Sequence, residues 1–259
     1  MVTLRHAVTL EPVPRDWFED ALRAVVDAVE ELREERKRLF AGGERVPAVR
    51  LAAGHHIGRG ARYLIEDVDD AGVVAFTHRV DVRAWDRSAI RLRYEGTSAE
   101  LRVRGEAELR GVDSPAALKW SGDVRGSGSR YRRGRVKAAL DLRAWWGQTP
   151  GGPAPLTADL RHPLVRAAVR VTMTRAKDGR WRTVVAVTSR GRGWARPPAA
   201  VAAVLGGFFL RRAYRRGLDD FAREWNAEVP RMTSRTPGEL KAEFLHGLAA
   251  GPADAGTAD

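Results

Sequence analysis

The side chains equipped for chemistry are few in this chain, and they are scattered. His55 and His56 are adjacent, His78 stands alone, and Glu66, Asp67, Asp69 and Asp70 form a short acidic cluster. A metal ion needs several nitrogen or oxygen ligands converging on one point, and neighbouring residues of a strand point to opposite faces. The His pair therefore reads as exposed loop or strand histidines, and no metal site is assigned. The acidic cluster coincides with the turn signal Asp69-Asp70-Ala71-Gly72 and reads as turn chemistry. Gly126-Ser127-Gly128-Ser129-Arg130 has the composition of a phosphate cradle but no helix follows it, so a hairpin turn is expected there. There is no nucleophile elbow, phosphate loop with its lysine, dinucleotide fingerprint or paired-histidine zinc motif. With no Cys, disulfides, thiolate zinc sites and thiol catalysis are excluded. Catalytic residues stay unassigned, no cofactor is expected, and binding without catalysis is favoured. Tyr63, Tyr94 and His78 are the polar groups nearest the apolar parity of their segments, and they are the first to test for chemistry.

The elements that must position these groups are mostly strands. Val2, Leu4, Val8 and Leu10 share one parity, giving a half-buried opening strand stopped by Pro12 and Pro14. Asp16, three residues before Glu19, opens a helix whose apolar face is Phe18, Ala21, Leu22, Val25, Val29 and Leu32. That helix is expected to continue through the charged stretch to Phe40 and to close at Gly42-Gly43. From about Val46 to Arg190 one alternating segment follows another: Val80 and Val82 against Arg79, Asp81 and Arg83; Ile90, Leu92 and Tyr94 against Arg91 and Arg93; Val165 to Met173 against Arg166 and Arg170. Period two with one apolar parity means antiparallel sheet with one face on a core and one in water. The polar parity is rich in Arg, so a strongly basic outer face is expected. Pro197-Pro198 opens a second long helix expected to reach about Val229, and a short amphipathic piece, Glu239 to Leu248, precedes a disordered tail.

The chain has 259 residues, 45 Lys plus Arg against 33 Asp plus Glu, and a net charge of +12. Of the basic residues only Lys37, Lys119, Lys137, Lys177 and Lys241 are lysines, and Asn226 is the one asparagine. The arginine surplus favours anionic partners. The most apolar run, Ala199 to Leu210, is too short to span a bilayer but long enough to touch its surface. A cytoplasmic protein, peripheral at a membrane at most, is the expectation. Eight Trp is a high number, and the Trp145-Trp146 pair beside the Gly/Pro loop fits a hairpin end packed under its own loop or a cavity mouth.

Two stretches carry a resemblance. VTLRHAVTLEPVPRDWFEDAL, and TVVAVTSRGRGWARPPAAV followed by FFLRRAYRRGLDDFAREW, resemble the opening strand and helix and the last strand and closing helix of the START-like (SRPBCC, polyketide-cyclase and lipid-transfer) superfamily. GDVRGSGSRYRRGRVKAALDL is similar to one of its late hairpins. The resemblance implies an α+β helix-grip fold, a curved antiparallel sheet wrapped around a long C-terminal helix, here with one long N-terminal helix. It implies one domain over residues 1–230 and an extension over 231–259. It also implies an apolar cavity between sheet and helix that takes a hydrophobic small molecule or lipid. Inward residues would be Val82, Leu92, Tyr94, Val103, Val169 and Val171 from strands, with Val201, Val204, Leu205 and Phe208 facing them from the helix. The alternative is a basic surface without a ligand cavity, binding nucleic acid or acidic membrane lipids through the strand arginines and through Arg211, Arg212, Arg215 and Arg216.

Overall fold

A computed structural model describes residues 1–68, 74–129, 131–148, 151–192 and 207–250. Where the sequence reading has one domain over 1–230, internal contacts group the chain into two units. Unit 1 comprises Met1–Arg15, Ala116–Asp123 and Ser129–Ser234; unit 2 comprises Asp16–Pro115, Val124–Gly128 and Arg235–Asp259. Both are α+β and antiparallel, and a helix lies near the C-terminal end of the chain, as the alternation and the closing helical pattern require.

In unit 1 the strand order is β1 (Val2–Leu10), β13 (Trp181–Gly191), β12 (Val165–Arg175), β11 (Leu156–Arg161), β10 (Arg133–Asp141) and the first part, to Asp123, of β9 (Ala117–Gly126). Helix α2 (Leu142–Trp146) is capped by Asp141, whose carboxylate accepts from the Ala144 N–H at 2.9 Å. Helix α3 (Gly207–Thr233) packs on β1. Leu4, Val8 and Leu10 share the inner face with Val171, Met173, Trp181 and Thr183, and Ala222 and Val229 are the buried residues of α3. Asn226 fastens the helix to the outermost strand. Its Oδ1 accepts from the Glu11 N–H at 2.7 Å and its Nδ2 donates to the Thr9 carbonyl at 2.9 Å. These are backbone groups that an edge strand leaves open, and a primary carboxamide supplies one donor and one acceptor, as a neighbouring strand would. Trp225 Nε1 donates to the Glu11 carbonyl and the Tyr214 hydroxyl to the Val185 carbonyl, both at 2.9 Å.

Unit 2 is a meander in which β2 (Arg33–Glu35), β3 (Arg38–Ala41), β4 (Glu44–Ala53), β5 (Arg62–Val68), β6 (Val74–Trp85), β7 (Ala89–Thr97) and β8 (Leu101–Arg110) pair in chain order. Helix α1 (Arg15–Glu30) lays Leu22 and Val26 on Ile90, Leu92, Leu109 and Val112. Register shifts between Val82 and Ala84, which returns Trp85 to the inner face opposite Ile90. Its indole N–H then donates to Glu30 at 3.0 Å.

The expected continuation of α1 to Phe40 does not occur. The helix stops at Glu30 and the charged stretch forms the β2–β3 hairpin, turning at Arg36 (φ 48°) and Lys37 (φ 65°). Burial decides this: as a hairpin, the segment places Leu32, Leu39 and Ala41 against Val46 in a cluster that Leu245 and Leu248 also join. The helix also begins at Arg15, so Asp16 contributes a carboxylate to its first turn.

Helix α4 (Pro237–Ala250) carries Leu245 and Leu248, and its start is a capping box. Thr236 Oγ1 accepts from the Glu239 N–H at 3.2 Å, and Glu239 Oε2 accepts from the Thr236 N–H at 2.7 Å. Thr236→Ala is expected to cost about 1 kcal/mol, read by chemical denaturation and by faster amide exchange in the first turn of α4.

Candidate functional site

The inner face of unit 2 gathers polar side chains onto an apolar floor. Strand pairing sets Tyr63 opposite Val80, Ile65 opposite His78, Val80 opposite Tyr94 and Gly96 opposite both His78 and Val103. Val82, Leu51 and Ile90, further along the same face, are fully buried. Phe76, His78, Val80, Tyr94 and Val103 are only half-buried. The face therefore runs from a sealed core to a region that solvent reaches.

His78 sits in a directed chain in that region. Its Nε2 lies 2.7 Å from Asp67 Oδ2 and its Nδ1 lies 2.8 Å from the Tyr94 hydroxyl. An ionised carboxylate only accepts, so Nε2 carries a proton toward Asp67, and in the tautomer with that proton alone Nδ1 accepts from the Tyr94 O–H. Burial raises the Tyr94 pKa, and the Asp67 charge raises it further. Tyr94 is thus a protonated phenol at neutral pH and a donor rather than a base. Phe76 leans on the imidazole with ring centroids 4.7 Å apart.

Gly96 makes this chain sterically feasible. A Cβ there would overlap the Tyr94 hydroxyl oxygen and come within 2.5 Å of Phe76 Cε1. The tyrosine ring lies along its own strand in the space that a missing side chain leaves, and so its hydroxyl reaches the histidine directly across from Gly96.

A second His–Tyr pair has a different character. His56 Nε2 donates to the Val29 carbonyl at 2.8 Å, His56 Nδ1 accepts from the Tyr63 hydroxyl at 2.8 Å, and the Tyr63 oxygen accepts from the Ile57 N–H at 2.7 Å. Every polar atom of the chain is satisfied. It holds Ile57 at φ 52°, a left-handed conformation that a β-branched residue adopts only when its surroundings force it. Burial raises the Tyr63 pKa. Glu34 accepts from the His56 N–H at 2.8 Å, and that hydrogen bond holds its carboxyl below the usual range, with Lys37 adding to the effect. This cluster locks the loop between β4 and β5 to the end of α1. His55 is exposed as expected, whereas His56, against expectation, is tied into the structure at both ring nitrogens.

The ten expected cavity residues divide between the two units. Val82, Leu92, Tyr94 and Val103 share the inner face of unit 2, with Val82 fully buried in the core. Val169 and Val171 lie on the inner face of unit 1, Val171 buried and Val169 half-buried. Val201, Val204 and Leu205 lie outside the described residues, as does the side chain of Phe208. Asp67, read as turn chemistry, belongs to the end of β5 on the parity of Tyr63 and Ile65, and that alternation was the signal for it. Trp145 stacks edge-on against Trp181 at 5.3 Å and Trp146 Nε1 donates to the Val13 carbonyl, so this pair packs within unit 1. Gly126 ends β9, and Ser127 to Ser129 lie in the β9–β10 turn, as expected. Unit 1 also bears a half-open cleft of about 420 Å³ lined by Arg5, Thr172, Thr174, Gln148 and the Gly/Pro loop. Among the described residues no three His, Asp or Glu side chains gather as a metal would require, and no helix is long and apolar enough to cross a membrane.

The outer face of unit 2 is not the strongly basic surface that the alternation predicts. Its arginines are matched across the sheet: Arg62 and Arg93 flank Asp81, Arg79 and Arg104 flank Glu95, Arg93 also faces Glu106, and Arg91 faces Glu108. Asp81 binds Arg62 at 2.7 Å and Arg79 at 3.0 Å, while Glu95 binds Arg102 at 2.5 Å and Arg104 at 3.2 Å. On α3, Arg211, Arg212, Arg215 and Arg216 are exposed beside Phe209 and Leu210.

No protein-family profile matches the chain, and no curated protein matches it. Among solved structures it is similar to TTHA0849 from Thermus thermophilus, at 9% identity and a TM-score of 0.26 over 96% of this chain and 99% of that one. It is also similar to Ara h 8.0201, at 14% identity and a TM-score of 0.18 over 83% of this chain and 98% of that one. The di-domain ARO/CYC StfQ from the steffimycin biosynthetic pathway matches at 9% identity and a TM-score of 0.20, over 94% of this chain and 98% of its own. Likeness at this level transfers no site and no activity.

Proposed function

We propose that this chain binds a hydrophobic small molecule bearing a hydrogen-bonding group, seated on the inner face of unit 2. The observation that carries the reading is the half-buried apolar stretch of β6–β8 bearing one oriented polar chain, Tyr94–His78–Asp67. Small-molecule sites combine a mostly apolar lining with a few fixed polar groups. Phe76, Val80, Leu92 and Val103 supply the lining, and the Tyr94 oxygen, which has accepting capacity left while it donates to His78, orients the ligand. The reading includes membership of the START-like superfamily, supported by the opening and closing stretches of the sequence.

Native mass spectrometry of the full chain purified from its own host is expected to show a bound apolar molecule. Val103→Arg, which places a charge on that face, should remove it and should also abolish saturable fluorescence enhancement of the neutral probe N-phenyl-1-naphthylamine. A bare protein mass together with no saturable probe signal would sink the proposal.

A further inference from the structure

Unit 1 carries an arrangement that unit 2 avoids. Strand register places Arg135 of β10 opposite Arg161 of β11, Arg161 opposite Arg166 of β12, and Arg166 opposite Arg190 of β13. All four fall on the outer parity, the one shared with Thr157, Ala168 and Thr188 rather than with the buried Val171 and Thr183. Neighbouring strands lie about 4.8 Å apart, so four guanidinium groups are strung over about 14 Å. Like charges placed directly opposite destabilise a sheet. In unit 2 the rows Arg79–Glu95–Arg104 and Asp81–Arg93–Glu106 of β6 to β8 alternate Arg with Asp or Glu; here no carboxylate interrupts the row, and none of the four arginines has an ion-pair partner among the described residues. The next row sets its one acid, Asp159, opposite Lys137 and Ala168 rather than opposite an arginine. Arg166 Nε is moreover buried with no hydrogen-bond partner among the described residues, an orphaned charged donor in the middle of the row.

We infer that this row is a docking surface for the phosphate backbone of a nucleic acid, read without regard to base sequence. A line of guanidinium forks at regular spacing suits a linear chain of phosphates, to which arginine bonds bidentately. The neighbouring outer-face side chains, Thr157, Thr172 and Thr188 among them, add hydroxyl groups that bond phosphate oxygens. The register-paired residues of this face include no aromatic ring on which bases would stack, so contact is to the backbone alone. They also include no large exposed apolar side chain to sink beneath lipid headgroups, which argues against a membrane as the occupant.

The test uses the full-length protein and a short fluorescein-labelled DNA duplex of arbitrary sequence, followed by anisotropy at rising salt. Four phosphate contacts predict a slope of log affinity on log salt of about −3.6, and removing two predicts about −1.8. Arg161→Gln with Arg190→Gln, both at exposed positions, should therefore halve the slope, while Arg161→Lys with Arg190→Lys should keep it. Arg91→Gln with Arg93→Gln on the charge-matched face of unit 2 should leave it unchanged. Without the duplex, the Gln pair should melt higher than the parent at low salt, because repulsion along the row is relieved; a lower melting point would overturn the like-charge argument. Absence of salt-dependent binding, or an unchanged slope in the Gln pair, overturns the inference. So does retention on phosphatidylserine vesicles with no binding of the duplex, which would assign the row to a membrane.

Discussion

Gly96→Val is expected to abolish saturable binding of N-phenyl-1-naphthylamine and to lower stability by about 1–3 kcal/mol, the usual cost of forcing extra atoms into a filled site. Valine is the better strand former, so propensity alone would stabilise β7. The loss comes from position: the new Cβ falls where the Tyr94 hydroxyl lies and within 2.5 Å of Phe76 Cε1. Tyr94 must then swing off His78, and the oriented chain to Asp67 is broken at its first link. Adding Tyr94→Ala to Gly96→Val should return part of the stability by vacating the space, but none of the binding. Titration calorimetry or probe fluorescence, paired with chemical denaturation of the two variants, separates these outcomes. Full binding by Gly96→Val would show that the tyrosine's seat is immaterial to the site.

Asp81→Ala is expected to cost about 2–3 kcal/mol, below the full penalty for breaking a buried pair because its partners remain partly hydrated. Asp81 is 6% exposed and binds Arg62 and Arg79, whose side chains are 42% and 34% exposed. Arg93 faces it from β7, so the variant leaves three arginines around an empty position. The same residue carries a pH signature. Burial pushes its carboxyl up, but hydrogen bonds and charge from Arg62 and Arg79 overcome this and hold it below the ordinary range. Glu95 is lowered in the same way, against its own burial, by Arg102 and Arg104. A carboxylate whose pKa is depressed on folding contributes stability that is complete above its unfolded value of about 4. That contribution is lost as pH falls through the folded value. Denaturant unfolding at pH 7 and at a series of acid pH values should show the parent losing stability below about pH 4, and Asp81→Ala losing less over the same interval. An identical acid dependence in both proteins would remove Asp81 from this role.

Much of the inner face was legible in the sequence because period two is a rigid rule. Tyr63, His78 and Tyr94 fall on the parity of Val80, Val82 and Leu92, and pairing brings His78 and Tyr94 together. Asp67 was missed because the acidic residues around it suggested a turn, although its spacing from Tyr63 and Ile65 places it on the same face. The environment of His56 had no sequence signal, since it depends on α1 ending at Glu30, close enough for the Val29 carbonyl to be reached. That end was hidden in turn: Glu34 and Arg38 have good helical spacing, and only the burial of Leu39 and Ala41 against Val46 selects the hairpin. The basic outer face was overestimated in unit 2 by weighing the number of arginines over their partners. Asp81, Glu95, Glu106 and Glu108 occupy the same parity, and cross-strand register, which one strand's alternation does not reveal, turns them into a lattice of opposite charges.

Asn226 covers part of the open edge of the outermost strand of unit 1. A strand with open amides and carbonyls is a template on which a second molecule can add its own strand, and chains that do so polymerise. By occupying the Thr9 carbonyl and the Glu11 N–H, one carboxamide on a helix closes that template for the length of a dipeptide step. Over that step the edge of β1 is held closed by the one asparagine in the chain.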